Sequence, residues 1–259
     1  MRALFTAATG MEAQQTRIDT IANNLANVST SGYKKQVPQF EDLFYETLAA
    51  PGATDATGQA LPTGAQIGHG VRLGSVGRVH TQGDRITTGR ELDLAVEGDG
   101  YFQIQTPGGE TAYTRDGAFQ VDQDGNLVTR LGSLVIPTIN VPTDASNITV
   151  LEDGTVSALV GDATSPTTLG QLQLARFTNA PGLRGLGSNL FAVSEASGNA
   201  ELGIPNQNGF GGVSQGFLES SNVDMAEELV RMILAQRAFE VNSRVIQASD
   251  EMLQRASNL

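Results

Sequence analysis

The chain has 259 residues, of which 39% are hydrophobic and 5% aromatic, with no cysteine and a formal net charge of −12. A surface this negative repels a phosphate backbone, which argues against nucleic-acid binding, and the lack of cysteine excludes disulfides, thiolate catalysis and thiolate metal sites. No apolar run approaches the roughly 18 residues of a membrane span, so we expect no direct membrane insertion.

The N-terminal segment carries a helical pattern. Seam residues recur every three or four positions, as in a coiled coil, and they are Leu4, Ala7, Met11, Gln14, Ile18, Ile21, Leu25 and Val28. The residues at 30–32 are a helix-ending signal, because Gly32 suits the left-handed backbone position that follows a helix. We predict a helix from about residue 2 to 30. The opening MRALFTAATGMEAQQ lacks the apolar core of a Sec-type signal peptide, so a protein that leaves the cytoplasm needs another export route.

Residues 46–70 have little apolar content and no period, which predicts a linker or a segment that orders only on contact. From about residue 70 to 205 the sequence pattern is typical of short strands separated by turns. Asp-Gly pairs at 116–117, 124–125 and 153–154 are typical of turns between strands. Helical periodicity is missing there, so we predict an antiparallel β domain.

The C-terminal segment predicts a second long helix, capped by Ser221 and acidic in its first turns. One row at heptad spacing is Met225, Leu229, Met232, Gln236, Phe239, Ser243, Ile246, Asp250 and Leu253. A second row on nearly the opposite side is Leu234, Ala238, Val241, Val245, Ala248 and Met252. A helix with two apolar stripes cannot bury both against one partner helix. Periodicity alone leaves open whether the second stripe packs on the chain's own middle domain or on other copies.

The patterns that resemble metal-binding or catalytic motifs are incomplete. Asp122-x-Asp124-x-Asn126 resembles the start of a calcium loop, but Leu127 stands where the turn glycine belongs, so a hairpin is the better interpretation. His69 and His80 are the only histidines and lack metal-site spacing. We therefore expect no cofactor, no metal and no enzymatic activity.

These patterns predict an α+β fold, with long N- and C-terminal helices forming a coiled-coil layer and a mostly antiparallel β middle domain. The predicted division is 1–45 for the N-terminal helix and the start of an extension, 46–90 for an extended linker, 91–210 for the β-rich domain and 211–259 for the C-terminal helix.

Three blocks carry a family resemblance. TAATGMEAQQTRIDTIANNLANVSTSGYKK at 6–35 resembles the N-terminal signature of bacterial flagellar rod and hook proteins. ELDLAVEGDGYFQI at 91–104 and YTRDGAFQVDQDGNLVT at 113–129 are similar to that family's central block. GFLESSNVDMAEELVRMILAQRAFEVNSRVIQASDEML at 216–253 resembles its C-terminal signature. The length and the AATGMEAQQ opening are most similar to the distal rod type, with proximal rod and hook proteins as alternatives.

The resemblance implies a structural subunit that the flagellar type III apparatus exports without a cleaved signal peptide. It implies helical polymerisation into a rigid hollow rod that crosses the periplasm and transmits torque from motor to hook. The implied partners are other copies, other rod proteins, the hook protein and the surrounding periplasmic and outer-membrane ring proteins. The terminal helices would form the inner layer and the β domain the outer layer, and the segment near 46–75 resembles the region that stiffens the distal rod.

In such a polymer we expect both helices to contribute to the subunit interface. The expected residues are Leu4, Met11, Ile18, Ile21, Asn23, Asn24, Leu25, Asn27, Val28, Leu229, Met232, Leu234, Gln236, Phe239, Val241, Asn242, Val245, Ile246, Met252 and Leu253. Asparagine weakens a helix interior, so our hypothesis for Asn23, Asn24 and Asn27 is that they make polar contacts only on assembly. Two readings from other classes remain: a secreted β-rich binding module, and a peptidoglycan-cleaving enzyme suggested by the periplasmic setting.

Overall fold

The computed structural model describes residues 2–50, 52, 63–161 and 165–257. The fold is α+β with mostly antiparallel sheets, as predicted. The chain divides into two compact units. We call residues 1–26, 36–78 and 224–259 the helical unit, and residues 27–35 and 79–223 the β unit.

Helix α1 spans Arg2–Ala26, so it ends four residues before the predicted end at 30. Every predicted seam residue within α1 is buried or half-buried, which confirms the N-terminal heptad pattern as a packing face. Asparagines at the end of the helix compete for backbone hydrogen bonds and favour a turn. The amide of Thr30 donates to the carbonyl of Asn27 at 3.1 Å, and Gly32 takes the expected left-handed conformation with φ of 67°.

Helix α2 spans Met225–Ser257 and is capped by Asp224 rather than by the predicted Ser221. The Asp224 Oδ1 atom accepts hydrogen bonds from the amides of Ala226 at 2.8 Å and Glu227 at 3.1 Å. Ser221 is buried instead, and its hydroxyl accepts a bond from the amide of Val223. Both residues are good caps, and the chain leaves the β unit only after Val223, so the cap falls on the later one.

The helical unit also contains four strands that pair as two antiparallel ribbons. Strand β1 (Gln36–Asp42) pairs with β4 (Val71–Arg78), and β2 (Tyr45–Ala49) pairs with β3 (Ala65–Gly68). Both ends of the predicted linker at 46–70 are therefore strands, because cross-strand hydrogen bonds order them despite their weak apolar pattern. The middle of that linker, at 51 and 53–62, lies outside the described residues.

The strands of the β unit are β5 (Arg85–Thr87), β6 (Leu94–Glu97), β7 (Tyr101–Gln105), β8 (Thr111–Thr114), β9 (Phe119–Val121), β10 (Leu127–Thr129), β11 (Leu134–Ile136), β12 (Ala145–Val150), β13 (Thr155–Val160), β14 (Thr167–Gln171), β15 (Leu174–Arg176), β16 (Arg184–Gly187), β17 (Leu190–Ala192), β18 (Glu201–Gly203), β19 (Gly212–Gln215) and β20 (Phe217–Glu219). The largest sheet has the order β16-β17-β8-β7-β11-β10-β9, and β15 pairs with both β7 and β18. The smaller sheets are β12-β13-β14, β19-β6 and β20-β5.

Two of the predicted Asp-Gly turns are hairpins. Gly125 between β9 and β10 has φ of 82°, and Gly154 between β12 and β13 has φ of 77°, so both use the left-handed freedom of glycine. The pair at 116–117 instead joins β8 to β9, which lie at separate places in the sheet. Local turn chemistry thus identified the sites of reversal but not which strands pair.

The core of the β unit lies on both faces of β7. Phe102 faces one buried cluster, where its ring meets Phe119 edge-on with centroids 5.1 Å apart. Tyr101 faces a second cluster with Tyr113, Phe177 and Phe191. Successive strand residues point to opposite faces, so the run Tyr101-Phe-Gln-Ile104 is buried throughout.

Candidate assembly surface and buried polar contacts

Helices α1 and α2 of the helical unit lie antiparallel. Asn24 of α1 contacts Glu228 of α2, while Gly10 lies against Asn242. A Cβ atom built on Gly10 would lie 2.8 Å from the Asn242 amide nitrogen, so a side chain at position 10 would displace the Asn242 amide from its place. The helices therefore approach each other through small and polar residues as well as through apolar ones.

The row of α2 that packs inward is neither of the two apolar rows read from the sequence. The innermost residues are Glu228, Ala235, Asn242 and Ser249, which recur every seven positions. Of the predicted row, Met232, Phe239, Ser243 and Ile246 are half-buried, whereas Met225, Leu229, Gln236, Asp250 and Leu253 are exposed. The predicted row thus has the period of the inward face, and half of its positions lie one residue after the innermost ones. Small side chains let the helix backbones come close, and this outweighs the larger apolar area of leucine.

The second predicted stripe of α2 faces outward. Leu234 and Met252 are each 64% exposed, Val241 is 58% exposed, and Val245 is 41% exposed. The further exposed apolar residues of this helix are Met225, Leu229, Val230, Ile233 and Leu253. Exposed apolar surface of this extent is a common feature of sites of protein contact.

The expected interface residues thus fall into different environments. Among the α1 residues, Ile21 and Asn24 are buried, Leu4, Met11, Ile18 and Leu25 are half-buried, and Asn23 is exposed. Asn27 and Val28 follow the helix in the β unit and are half-buried. On α2, Asn242 faces Gly10 of the same chain. The exposed members of the set concentrate on α2.

Asn24 is 1% exposed and makes three hydrogen bonds within the helical unit. Its Nδ2 group donates to the carbonyl of Gln36 at 2.8 Å and to Glu228 Oε2 at 3.2 Å. Its Oδ1 atom accepts from the amide of Gln36 at 2.9 Å. The side chain therefore fixes the start of β1 and holds a buried carboxylate, so our hypothesis of contacts made only on assembly is wrong for this residue.

The β unit contains a buried charge cluster that the sequence patterns did not reveal. Lys34, Arg115 and Glu219 are 2%, 3% and 1% exposed. The Lys34 ammonium forms an ion pair with Glu219 Oε1 and donates to the carbonyl of Thr81 at 2.8 Å. Arg115 Nη1 lies 3.5 Å from Glu219 Oε2. Burial lowers the pKa of Lys34, while the adjacent Glu219 carboxylate acts in the opposite direction.

Asn222 joins three chain segments of the β unit beside this cluster. Its Oδ1 atom accepts from the amide of Lys35 at 2.7 Å, and its Nδ2 group donates to the carbonyl of Val79 at 2.8 Å. Its own amide donates to the carbonyl of Tyr33 at 3.4 Å. Residues 27–35 are thereby part of the β unit. The adjacent Lys34 and Lys35, the only lysines in the chain, were the available sequence signal.

Arg115 also lies over the ring of Tyr101, with 5.0 Å between the guanidinium carbon and the ring centroid. The Tyr101 hydroxyl is 2.7 Å from His80 Nδ1. Burial raises the pKa of Tyr101 to about 12, because the ionised phenolate is poorly solvated there.

We expect alkaline pH to weaken the β unit through Tyr101. The folded pKa of about 12 exceeds the unfolded value of 10.0, so the neutral phenol is favoured in the fold. Its stabilising contribution is present below pH 10 and is lost as the pH rises to 12, a loss of about 3 kcal/mol. Tyrosinate absorbance checks this: Tyr101→Phe should remove an ionisation near pH 12. An unchanged titration curve in the variant would contradict the assignment.

The remaining candidate ligands have other roles. Asp122 Oδ1 accepts from the amides of Asp124 and Asn126 at 2.9 and 2.8 Å, as in a turn. His69 Nε2 lies 3.9 Å from Glu46. Across the residues that the structure describes, no group of three or more His, Cys, Asp or Glu side chains has metal-binding geometry. No helix in the same ranges is both long and apolar enough to span a bilayer.

Comparison with known families places three models on the chain. The flagella basal body rod protein model matches residues 4–34, and the flagellar hook protein FlgE/F/G D1 domain matches 95–158. The flagellar basal body rod FlgEFG protein C-terminal model matches 214–259. The first model covers α1 and the turn after it, and the last covers α2 with the strands before it.

Relatives match over nearly the whole chain. The flagellar basal-body rod protein FlgG of Agrobacterium fabrum is 50% identical over 97% of both chains. The protein of the same name from Buchnera aphidicola subsp. Acyrthosiphon pisum is 48% identical over 99% of this chain and 98% of its own. That of Bacillus subtilis is 43% identical over 100% of this chain. The chain belongs to the flagellar basal-body rod protein family. This is a family of structural proteins and not of enzymes.

Proposed function

We propose that this protein is a structural subunit of the bacterial flagellar distal rod. Copies polymerise helically into a rigid hollow shaft that transmits torque from the motor to the hook. The observation that carries the proposal is the full-length similarity to proteins named as basal-body rod proteins. The exposed apolar stripe of α2 supports it, because a soluble helix presents such a stripe where another chain packs on it.

In the proposed polymer, α1 and α2 of all copies form an inner coiled-coil layer and the β domain forms the outer layer. The division proposed for this role is 1–45 and 211–259 for the helical layer, 46–90 for the stiffening extension and 91–210 for the outer domain. The interface draws on the exposed residues of the expected set, which are Asn23, Leu229, Leu234, Gln236, Val241, Val245, Met252 and Leu253.

The proposed location is the flagellar basal body, in the rod that crosses the periplasm. The other rod proteins, the hook protein and the ring proteins around the rod are the proposed neighbours. The flagellar type III apparatus would export the chain without cleaving a signal peptide.

Electron microscopy of the purified, assembled protein tests the main reading against its alternatives. A straight tube supports a distal rod subunit, and a curved tube favours a hook protein. A chain that stays monomeric at high concentration and binds a ligand would favour a secreted binding module and overturn the proposal.

A charge in the outward stripe is expected to block polymerisation. Val245 is 41% exposed in the isolated chain, and Val245→Asp would bury a carboxylate at the contact with the next copy. We expect the concentration needed for assembly to rise about tenfold or more, with unchanged helix content. Sedimentation measures this, and Gln247→Glu, at an exposed position of α2, is the matched control. Normal tubes from the Val245→Asp protein would refute the role of the stripe.

A further inference from the structure

Helix α2 extends past the start of α1. The two helices contain 25 and 33 residues, and the contacts of Asn24 with Glu228 and of Gly10 with Asn242 set an antiparallel register. That register places Arg2 opposite residue 250, so the last turns of α2 have no facing turn in the described part of α1. All side chains from 250 to 256 are exposed, including Met252 at 64% and Leu253 at 41%. We call residues 250–257 the overhang.

A cavity of about 270 Å³ lies toward the other end of the same helix pair. Its apolar walls are Ile21 of α1, Val37 and Pro38 of β1, and Leu234 of α2. Leu234 is 64% exposed, so it lies at the solvent-exposed edge of the cavity. A cavity of this kind suits an unbranched apolar side chain such as methionine, which adapts to irregular gaps.

The charges at the cavity complement those of the overhang. Arg17 and Arg231 line the cavity, and in the described residues Arg17 has no carboxylate partner, only the Phe40 ring at 5.3 Å. Glu228 also lines it, and its carboxylate is held by Asn24 at 3.2 Å and lies 3.6 Å from Arg231, which also pairs with Glu227 at 2.6 Å.

The overhang carries Asp250 and Glu251 against the single cation Arg255, and it includes the negative end of the helix dipole. Arg17 therefore presents a cation without a carboxylate partner among the described residues at the mouth of the cavity, where a net negative helix end could enter.

Cavity and overhang cannot meet within one chain. Leu234 and Met252 lie on one continuous helix, about 27 Å apart at the helical rise. A contact between them must join two copies, and because it uses different surfaces on each copy it is heterologous. Such a contact continues as a helix where the rotation between copies does not close a ring, as a helical polymer requires. Resting on the polymer proposed above, we propose that the overhang of one copy docks in the cavity of the next, with Met252 against Leu234 and Glu251 beside Arg17.

The absence of cysteine from the chain permits a direct test. The variant Leu234→Cys/Met252→Cys is assembled, oxidised and run on a non-reducing gel. A disulfide needs Cα atoms within roughly 7 Å, so the two positions cannot bridge inside one chain. We expect a ladder of covalently linked copies from assembled protein and no ladder from dilute monomer. The control Leu234→Cys/Val121→Cys places the second cysteine on the β unit and should give no ladder.

Exchanging the charges at positions 17 and 251 tests the docking independently. Arg17→Glu should lower the assembled fraction at least fivefold, and Arg17→Glu/Glu251→Arg should restore most of it. The docking would be overturned if the cysteine variant forms tubes but gives no ladder, or gives a ladder no stronger than that of the control. Either result would leave the proposed rod function intact. If the cysteine variant does not assemble, a failure of the exchange to restore assembly overturns the docking. A parent chain that forms no polymer would instead overturn the proposed function.

Discussion

Lys34→Met is expected to destabilise the β unit by about 3–5 kcal/mol, a large part of the stability of an ordinary domain. The ammonium is fully enclosed and balances the buried carboxylate of Glu219. Methionine fills a similar volume but leaves that carboxylate with only the longer contact to Arg115 and the amide of Gly83 at 3.0 Å. The Thr81 carbonyl also loses a charged donor.

Amide hydrogen exchange of the β unit measures this loss, because the buried strands β6 and β7 report its opening. Arg72→Met is the control: its ion pair with Glu41 has side chains 65% and 56% exposed, and such pairs contribute at most about 1 kcal/mol. The double variant Lys34→Met/Glu219→Gln should lose less than the sum of the single losses, since neither charge is left alone. Equal exchange rates in Lys34→Met and the parent would disprove the compensating role of this lysine.

Asn24→Leu is expected to destabilise the helical unit by about 2–4 kcal/mol, although leucine is the better helix former. The change removes three hydrogen bonds at one buried point. The amide and carbonyl of Gln36 lose their partner, and the Glu228 carboxylate loses a donor while it stays buried. Since a buried polar group without a partner costs more than a helix propensity gains, the net effect is unfavourable.

Thermal unfolding followed by circular dichroism at the helix band measures the effect, with Gln15→Leu as the control at an exposed position of α1. The control should change stability by less than about 0.5 kcal/mol. An Asn24→Leu protein as stable as the control would show that the amide network contributes little.

Some elements could be predicted because they depend on local pattern. The heptad spacing of α1 named its buried face, and the Asp-Gly pairs at 124–125 and 153–154 marked true hairpins. The second apolar row of α2 was also visible, and it needs a second neighbour, but only the structure showed that it is exposed. The three signature blocks by themselves indicated the family.

Other elements depended on contacts that a local pattern does not contain. The strands β2 and β3 have weak strand composition, and only their pairing orders them. Lys34 and Glu219 lie 185 positions apart, so no window of sequence brings their charges together. Asn24 resembles a solvated helix end until Gln36 and Glu228 enclose it.

The sequence by itself determined the two long helices, the β-rich middle, the second apolar row of α2 and the family, because periodicity and turn chemistry act between near neighbours. The tertiary structure alone decided which row of α2 packs on α1 and which polar groups are buried. The physical reason is that close approach through Gly10, Ala235 and Ser249 depends on the partner's shape as well as on apolar area. A buried charge or amide is tolerated only where a distant part of the chain supplies its partner.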